Sequence, residues 1–548
     1  SNENKRLSQE SARVSQENTR LSQESGRVSA ETTRVTAESG RVTAESNRVS
    51  AESDRVIADM AREELYSQTA TLKTETETAK DSAISAATLA NDKATLAQDK
   101  ADYAEAQGDY AKAQGEAVDG RISEVEGKIG YSLGWYGIEF DETIANSACT
   151  RIGEMDLHRR LPIQNQMRRC LLLDNGKVNY YLHKDDSTKK ADGTDAVLDG
   201  TDGQVMVEIP AHWRRFEKDG TVHRVKISDF KLEGFHFVPK AYRSAYEATV
   251  ERSSLKLSSV VNMDADYRGG NNNATLDEAS NTLLGRPATA ISGTNFARYA
   301  KNRGDRWCMQ VYHVKKTIDW LYYIEFANFN SQLAFNPLLT PEGFKQGGLG
   351  NGVTDLNSSK WSAFNGTYPF IPMGYTNSLG NKTGVKPYDM PPEYDAEIFT
   401  TNVPSYRGVE NPFGHIWKWA DGLKINIQAD DAGGESQMFV CEDPLLFQHS
   451  NYDGYEKRGL LSRASGYISK MIMGEFGELM PQEAVGGSTT YFADYFYTSL
   501  PASGESQRGV LFGGSANTGA YAGLAFSHSN YAFSHSNSPF GSRLCFIP

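Results

Sequence analysis

The chain has 548 residues and a formal net charge of −13, so it has room for several domains but lacks the overall basic charge typical of nucleic-acid binders. No stretch reaches the roughly 20 consecutive apolar residues that cross a membrane, and the first residues indicate a start inside a longer repeat, with no signal peptide. The five cysteines lack C-x-x-C spacing, which favours free, buried thiols over a zinc site or a disulfide framework.

The first sixty residues repeat every seven positions. Arg recurs at positions 6, 13, 20, 27, 34, 41, 48 and 55, and Leu or Val follows it each time. From Val14 onward a small polar residue stands three positions before each aliphatic one, which predicts polar a and aliphatic d positions of a left-handed coiled coil. Glu and Arg beside this seam are expected to pair between helices. The alternative is a solvated, disordered charged segment, which the strict phase over eight heptads disfavours.

An Ala-rich segment continues this pattern from Thr69 to about Gly130. Tyr103 and Tyr110 keep the seven-residue spacing. Residues 1–130 are therefore predicted to form a helical coiled-coil rod, about 190 Å long at 1.5 Å per residue. Such a rod would hold a globular tip away from its attachment point.

The composition changes at Tyr131, where aromatic residues and Pro enter and the helical period stops. Residues 131–203 are predicted to be a connector of short strands and loops. Within it, "HKDDSTKKADGTDAVLDGTDG" is rich in Asp but lacks the spacing of a calcium loop, so a solvated loop is the better interpretation.

Residues 204–548 are predicted to form an α+β globular domain. Val205, Val207 and Ile209 alternate as in a half-buried strand, and "HRVKISDFKL" is a second strand. "PKAYRSAYEATV" is expected to be a short helix, and "YHVKKTIDWLYYIEFANFNSQ" a longer helix with one apolar face. Trp417 and Trp419 have strand spacing, and from Gly486 onward little helix is expected.

The order of motifs in this domain resembles the C-type-lectin fold, in the branch that includes formylglycine-generating-enzyme-like proteins. The resemblance rests on "VMVEIP", "WLYYIEFAN", "NPFGHIWKW" and the closing pair "FGGSANTGAYAG" and "GSRLCF". With the rod in front, the chain resembles phage tail-fibre receptor-binding proteins whose lectin-fold tip is diversified by a retroelement, as in gut Bacteroides phages and the major tropism determinant family. The fold class expected from this resemblance is a long N-terminal coiled coil followed by an α+β C-type-lectin-fold tip.

The C-terminal segment carries the composition that such diversification implies. From Arg508 to the end there is no Lys, Glu, Gln, Met or Trp, and "SHSN" occurs twice among Tyr and Phe. In the family that the chain resembles, adenine-directed mutagenesis cannot produce those five residue types. The alternative is a Gly/Ser-rich loop that lacks them by chance.

The resemblance implies a variable region at about 508–545 whose exposed residues bind a receptor. Tyr and Phe offer rigid apolar area, while Ser, Asn and His offer adaptable hydrogen bonds, as in antibody loops. Leu544 and Cys545 in "GSRLCF" are expected to be core. The residues predicted to form the binding face are Asn517, Thr518, Tyr521, Phe526, His528, Asn530, Tyr531, Phe533, His535, Asn537, Ser538, Pro539 and Phe540.

Several sharper interpretations receive less weight. His528 and His535 could bind a metal, but no Asp or Glu stands near them in sequence. The triplet Glu-Asn-Pro from Glu410 to Pro412 resembles the Glu-Pro-Asn motif of calcium-dependent lectins but has Asn and Pro in the opposite order. The Trp-Asn-Asp motif that accompanies it in those lectins is missing. Neither Cys308 nor Cys545 lies in a pattern that matches an oxidase cysteine pair. We therefore expect no enzyme activity, no cofactor and no metal.

The predicted function is attachment of a phage to its host. The expected partners are a host bacterial surface protein or polysaccharide, two further copies of the chain in a homotrimer, and other tail proteins at the N-terminal end; no nucleic acid and no membrane insertion is expected. The expected location is the tail-fibre tip of the virion. Two alternatives remain open: a bacterial surface adhesin of the same plan, or a capsule-degrading tail enzyme that uses acids such as Glu442 and Asp443.

Overall fold

The computed structural model describes residues 2–48, 50, 52, 55, 134–391 and 399–548. Contacts divide the chain into two units, Ser1–Gly130 and Tyr131–Pro548. Of the first unit, residues 2–48 form one helix, α1. Most of the regular secondary structure of the second unit is β-strand. In the described parts of the chain, no helix combines the length and the apolar character that a membrane crossing requires.

Helix α1 is exposed along its whole described length. Its d-position side chains, from Leu7 to Val42, are 51–62% exposed and lie at every seventh residue. The Arg side chains from Arg13 to Arg48 bond the Glu three positions earlier in the same helix at 2.6–3.0 Å, and pairing between helices stays a prediction. Exposed ion pairs of this kind contribute little to stability. The Ala-rich helix predicted for 69–130 lies outside the described residues.

The second unit contains four α-helices in its described part: α2 Met155–Arg160, α3 Gly293–Lys301, α4 Tyr312–Phe326 and α5 Ser358–Asn365. Its strands are β1 Tyr136–Asp141, β2 Thr150–Gly153, β3 Arg168–Leu172, β4 Val178–Tyr181, β5 Gln204–Ile209, β6 His212–Asp219, β7 Val222–Ser228, β8 His236–Val238, β9 Ala241–Ser244, β10 Thr249–Glu251, β11 Lys256–Ser258, β12 Trp307–Met309, β13 Gly384–Met390, β14 Phe399–Tyr406, β15 Val409–Glu410, β16 Trp417–Gln428, β17 Ser436–Val440, β18 Glu456–Leu460, β19 Gly466–Tyr467, β20 Lys470–Met473, β21 Glu478–Glu483, β22 Tyr495–Tyr497, β23 Glu505–Phe512, β24 Ser527–His528, β25 Phe540–Gly541 and β26 Leu544–Phe546.

Three sheets build most of this unit. A five-stranded antiparallel sheet has the order β2-β1-β7-β6-β8, and a six-stranded antiparallel sheet has the order β12-β26-β9-β5-β3-β4. An eight-stranded sheet runs β18-β17-β16-β23-β24-β22-β19, with β25 paired to β16 in parallel. Strands β10–β11, β13–β14–β15 and β20–β21 form smaller sheets.

The segment 131–203 is not a separate connector. Its strand β1 pairs with β7, and its strand β3 pairs with β5, so it supplies strands to two of the large sheets. The expectation failed because its strands are short and separated by polar turns, a pattern that hides their long-range partners. The Asp-rich loop within it is held by short-range turns such as that of Asp192, whose carboxylate accepts from Thr194.

Two predicted elements differ in their burial. All six residues of β5 are buried, since the strand lies between β3 and β9 inside the sheet; the half-buried strand expected from its alternation is therefore wrong. The predicted helix α4 is confirmed, but it is buried at every residue except His313, so its burial extends beyond the one apolar face that was expected. Trp320 packs on Phe216 on one side, and Tyr322 packs on Tyr406 on another.

The helix predicted for "PKAYRSAYEATV" is wrong as well. Strand β9 occupies Ala241–Ser244 and pairs with both β5 and β26, and β10 follows at Thr249. Tertiary pairing overrides local propensity here, because β9 fills the position between two buried strands. The strands predicted at β7 and at Trp417–Trp419 are confirmed.

Candidate binding face

The C-terminal segment contributes strands β23 to β26 to the large sheets. Strand β23 pairs with β16, β24 lies between β23 and β22, and β25 pairs with β16. Strand β26 then enters the six-stranded sheet, where Leu544 and Cys545 are fully buried, as predicted. Two loops, residues 513–526 and residues 529–539, connect these strands and carry the predicted contact residues except His528 and Phe540, which lie on β24 and β25.

Loop 513–526 is held by a hydrogen bond between its first and last residues and by another to a buried carboxylate. The Gly513 N–H donates to the Phe526 carbonyl at 2.9 Å, and Gly513 has a φ of 91°, which favours glycine. The Ala525 N–H donates to Asp494 Oδ2 at 2.7 Å. Lys315 Nζ donates to the Leu524 carbonyl at 2.6 Å. Burial raises the pKa of the Asp494 carboxyl well above its usual range.

Loop 529–539 is held by main-chain hydrogen bonds to its surroundings. The Gly509 N–H donates to the Tyr531 carbonyl at 2.9 Å, and the Thr294 N–H donates to the Phe533 carbonyl at 3.1 Å. Arg508 Nη1 donates to the Asn530 carbonyl at 2.6 Å. The backbone is therefore fixed without any contribution from most of the loop's own side chains.

Four of the predicted contact residues are buried, which corrects their assignment to an exposed face: Phe526, His528, Phe533 and Phe540. Phe526 packs on Trp417 with ring centroids 4.5 Å apart. Phe533 and Phe540 both pack on Trp419, at 5.6 and 6.0 Å. These side chains point inward because they cover the apolar rings of Trp417 and Trp419 in the sheet beneath the loops.

His528 lies in β24 and is only 9% exposed. Its ring packs between Trp417 at 5.2 Å and Tyr497 at 5.3 Å. Burial lowers the pKa of His528 to about 4, with a smaller contribution from His535. The imidazole is therefore neutral at pH 7 and acts as a ring in the packing.

The remaining nine predicted residues reach the surface wholly or in part: Asn517, Thr518, Tyr521, Asn530, Tyr531, His535, Asn537, Ser538 and Pro539. Tyr521 is 37% exposed. Asn517 Nδ2 donates to Ser358 Oγ at 2.7 Å, which ties loop 513–526 to α5. Ring contacts through Tyr497 and His528 link Tyr521 of the first loop to Tyr531 and His535 of the second.

A continuous series of ring contacts joins the two loops, and we call it the aromatic band: Tyr467, Tyr495, Tyr497, Tyr521, His528, Tyr531 and His535. Tyr495 contacts Tyr467 at 5.1 Å, Tyr497 at 4.9 Å and Tyr521 at 4.4 Å. The series continues from Tyr497 through His528 to Tyr531 and ends where Tyr531 stacks on His535 at 4.1 Å.

Sequence reasoning missed three members of the band, Tyr467, Tyr495 and Tyr497. They lie outside the predicted variable region, on β22, which pairs with β24, and on β19, which pairs with β22. A signal was present in "YFADYFY", where Tyr495 and Tyr497 alternate with the buried Phe496. Alternation of this kind places both Tyr rings on one face of a strand.

The band has almost no charge. From Arg508 to Cys545 the charged residues are Arg508 and Arg543, and Arg543 is fully buried. Ring faces, amides and hydroxyls therefore provide the contacts available to a ligand. Among the described residues, no group of three or more His, Cys, Asp or Glu could hold a metal ion.

Glu410, Glu442 and Asp443, which suggested a calcium-dependent lectin or a capsule-degrading enzyme, form hydrogen bonds or ion pairs within the fold. Glu410 is buried and accepts hydrogen bonds from the N–H groups of Gly374 and Thr376. Asp443 accepts from the Leu445 N–H, and Glu442 pairs with Arg458 at 3.5 Å.

Cys308 and Cys545 face each other in register across β12 and β26, a pairing that the sequence pattern did not reveal. Both thiols are free and buried. Burial raises the pKa of Cys545 to about 11 and that of Cys308 well above its usual range. Since the thiolate is the nucleophile, this environment disfavours thiol reactivity.

No protein-family model matches the chain, and no curated protein matches it in sequence.

Proposed function

We propose that the chain is a phage tail-fibre adhesin that attaches to a receptor on the host bacterial surface through the aromatic band. One observation carries the proposal: six partly or fully exposed rings, joined through the buried ring of His528, form a continuous series over the sheet, next to loops rich in Ser and Asn. Aromatic residues supply most of the energy at interfaces, because they bury large areas at a low entropic cost. Binding, with no catalysis, is the activity that this surface favours.

The proposal includes diversification of the two C-terminal loops by a retroelement. The division between buried and exposed positions supports it. Side chains such as Asn537 and Ser538 reach the surface while the backbone is fixed elsewhere, so their replacement leaves the fold intact. Phe526, Phe533 and Phe540 fill the interior, so we expect these positions to accept few other residues.

The finer description of the architecture is also a proposal. The globular tip has a C-type-lectin fold, and α1 belongs to a parallel coiled coil that makes the protein a homotrimer at the tip of a virion tail fibre. The regular apolar stripe from Leu7 to Val42 supports association, since a helix with such a stripe gains stability by covering it with other helices. Three tips on one rod would bind a surface with avidity. Other tail proteins would hold the N-terminal end.

A binding assay with two matched variants tests the function. Tyr531→Ser combined with His535→Ser removes the stacked end of the aromatic band. Tyr299→Ser combined with His236→Ser changes the same residue types elsewhere on the tip. We expect the first variant of the full chain to lose at least tenfold in binding to receptor-bearing bacteria, since interface aromatics often contribute about 2 kcal/mol each. Equal binding by both variants would contradict the proposal.

A further inference from the structure

A cleft of about 620 Å³ lies in the second unit and shares no lining residue with the aromatic band. Helices α2 and α4 contribute to it, together with the loop at 335–345, the residues before β13 and the turn between β14 and β15. Its volume falls within the range of about 300–1,000 Å³ that is typical of small-molecule sites. Nothing in the adhesin proposal uses it.

The charge of this cleft is opposite to that of the chain. Five cationic side chains and two carboxylates line it, a net charge of +3 in a protein of net charge −13: Arg159, Lys184, Lys345, Lys382 and Arg407, with Asp185 and Glu325. A concave surface lined by one sign of charge concentrates ligands of the other sign. An anionic ligand is therefore favoured.

Two of the cations are free to meet a ligand. Arg407 bonds Glu325 through two hydrogen bonds of 2.6 and 3.0 Å, and Lys382 pairs with Asp185 at 2.8 Å. By contrast, no ion pair joins Lys184 or Lys345 to another residue in the part of the chain that the structure describes. The paired residues fix the cleft's shape, while the two lysines carry uncompensated charge.

The cleft also has apolar lining. Phe326 is buried and Phe335 half-buried, while Pro337 and Leu339 are exposed. A ligand that fits must therefore present both apolar and anionic surface at close spacing. A uronic acid does so, because its ring has an apolar C–H face and carries a carboxylate at its edge.

An extended acidic peptide fits less well. Peptides commonly bind by adding a strand to a sheet edge or by laying a helix in a groove. None of the lining residues belongs to a strand, so no row of unpaired backbone groups faces the cleft.

We propose that this cleft is a second binding site, for an acidic oligosaccharide built from uronic acids. Lys184 and Lys345 bind its carboxylates, and Phe335 and Leu339 contact its ring faces.

Calorimetric titration of the full chain with tetragalacturonate tests the ligand class. The neutral tetrasaccharide maltotetraose and tetraglutamate serve as comparison ligands. We expect tetragalacturonate to bind at least tenfold more tightly than either, and its affinity to fall as salt is added. Absence of binding at millimolar tetragalacturonate, equal binding of maltotetraose, or tighter binding of tetraglutamate would overturn the proposal.

Paired variants test the site. Lys184→Gln with Lys345→Gln removes the two uncompensated charges, and Lys177→Gln with Lys231→Gln removes two exposed lysines that do not line the cleft. The first pair should weaken tetragalacturonate binding at least tenfold, because hydrogen bonds to charged groups are among the strongest a site can offer. The second pair should bind as the parent does. Equal loss in both pairs would show a non-specific charge effect and would reject this cleft as the site.

Discussion

The imidazole of His449 lies flat on the ring of Phe533, with ring centroids 3.8 Å apart and planes 1° from parallel. Phe533 also packs on Trp419, with ring centroids 5.6 Å apart. Phe533, a residue of the proposed variable region, thus packs on two residues that lie outside that region, His449 and Trp419. The division between framework and contact positions therefore runs through the loops themselves, residue by residue.

Replacing Phe533 with Ala should lower the free energy of unfolding by about 3 kcal/mol, because a buried ring is removed and its space cannot fully collapse. Tyr521→Ala, in the neighbouring loop, should cost less than about 1 kcal/mol, since Tyr521 is 37% exposed. Denaturant unfolding of both variants measures the difference. Equal destabilisation would show that Phe533 is not part of the framework.

A substitution at Gly523 tests whether the Asp494 carboxylate holds loop 513–526. A Cβ at this position would lie 1.9 Å from the Oδ1 atom of Asp494, whose other oxygen accepts from the Ala525 N–H. Gly523→Ala should therefore displace the carboxylate and destabilise the tip by about 2 kcal/mol. The control is Gly487→Ala, where the nearest atom is 3.4 Å away, and it should melt like the parent. A parent-like melting curve for Gly523→Ala would contradict the packing described around Asp494.

The stability of the tip should depend on pH through His528. Its pKa falls from 6.5 to about 4 in the folded protein because burial disfavours the charged form. Between these values the unfolded chain binds more protons, so the folded state loses stability as pH decreases from 6.5 towards 4. At pH 5 the loss attributable to His528 is about 2 kcal/mol.

The variant His528→Gln removes this titration while leaving the other ionisable groups in place. The free energy of unfolding should therefore decrease less between pH 7.5 and pH 5 in the variant than in the parent. Chemical denaturation at the two pH values provides the comparison. An identical decrease in both proteins would mean that His528 is not buried as described.

The sequence pattern predicted a few of the strands, such as β7, and the long helix α4, because regular spacing follows from backbone geometry alone. It did not predict that β9 is a strand or that β5 is buried on all sides, since both depend on partners far away in the chain. Likewise, the composition of the C-terminal loops indicated contact residues but not which of them face Trp417 and Trp419. Tyr495 and Tyr497 were missed because they lie on β22, outside the predicted variable region.

The stripe on α1 predicts self-association of the full chain. Replacing Val28, Val35 and Val42 with Glu would place charges in the seam of the proposed coiled coil, whereas Ala30, Ala37 and Ala44 lie two positions further along each heptad, outside the seam. Sedimentation should give a trimer for the parent and for the triple Ala→Glu control, and a smaller species for the triple Val→Glu variant. A monomeric parent would contradict the proposed rod.

The central claim is that the aromatic band contacts the receptor, and hydroxyl-radical footprinting of the full chain tests it most directly. The protein is oxidised alone and when bound to envelopes of a bacterial strain that it recognises, and mass spectrometry reports the oxidation of each side chain. We predict strong protection of Tyr521, Tyr531 and His535 on binding, with unchanged oxidation of Tyr299 and His236. Unchanged oxidation of the band, with protection elsewhere on the tip, would contradict the account.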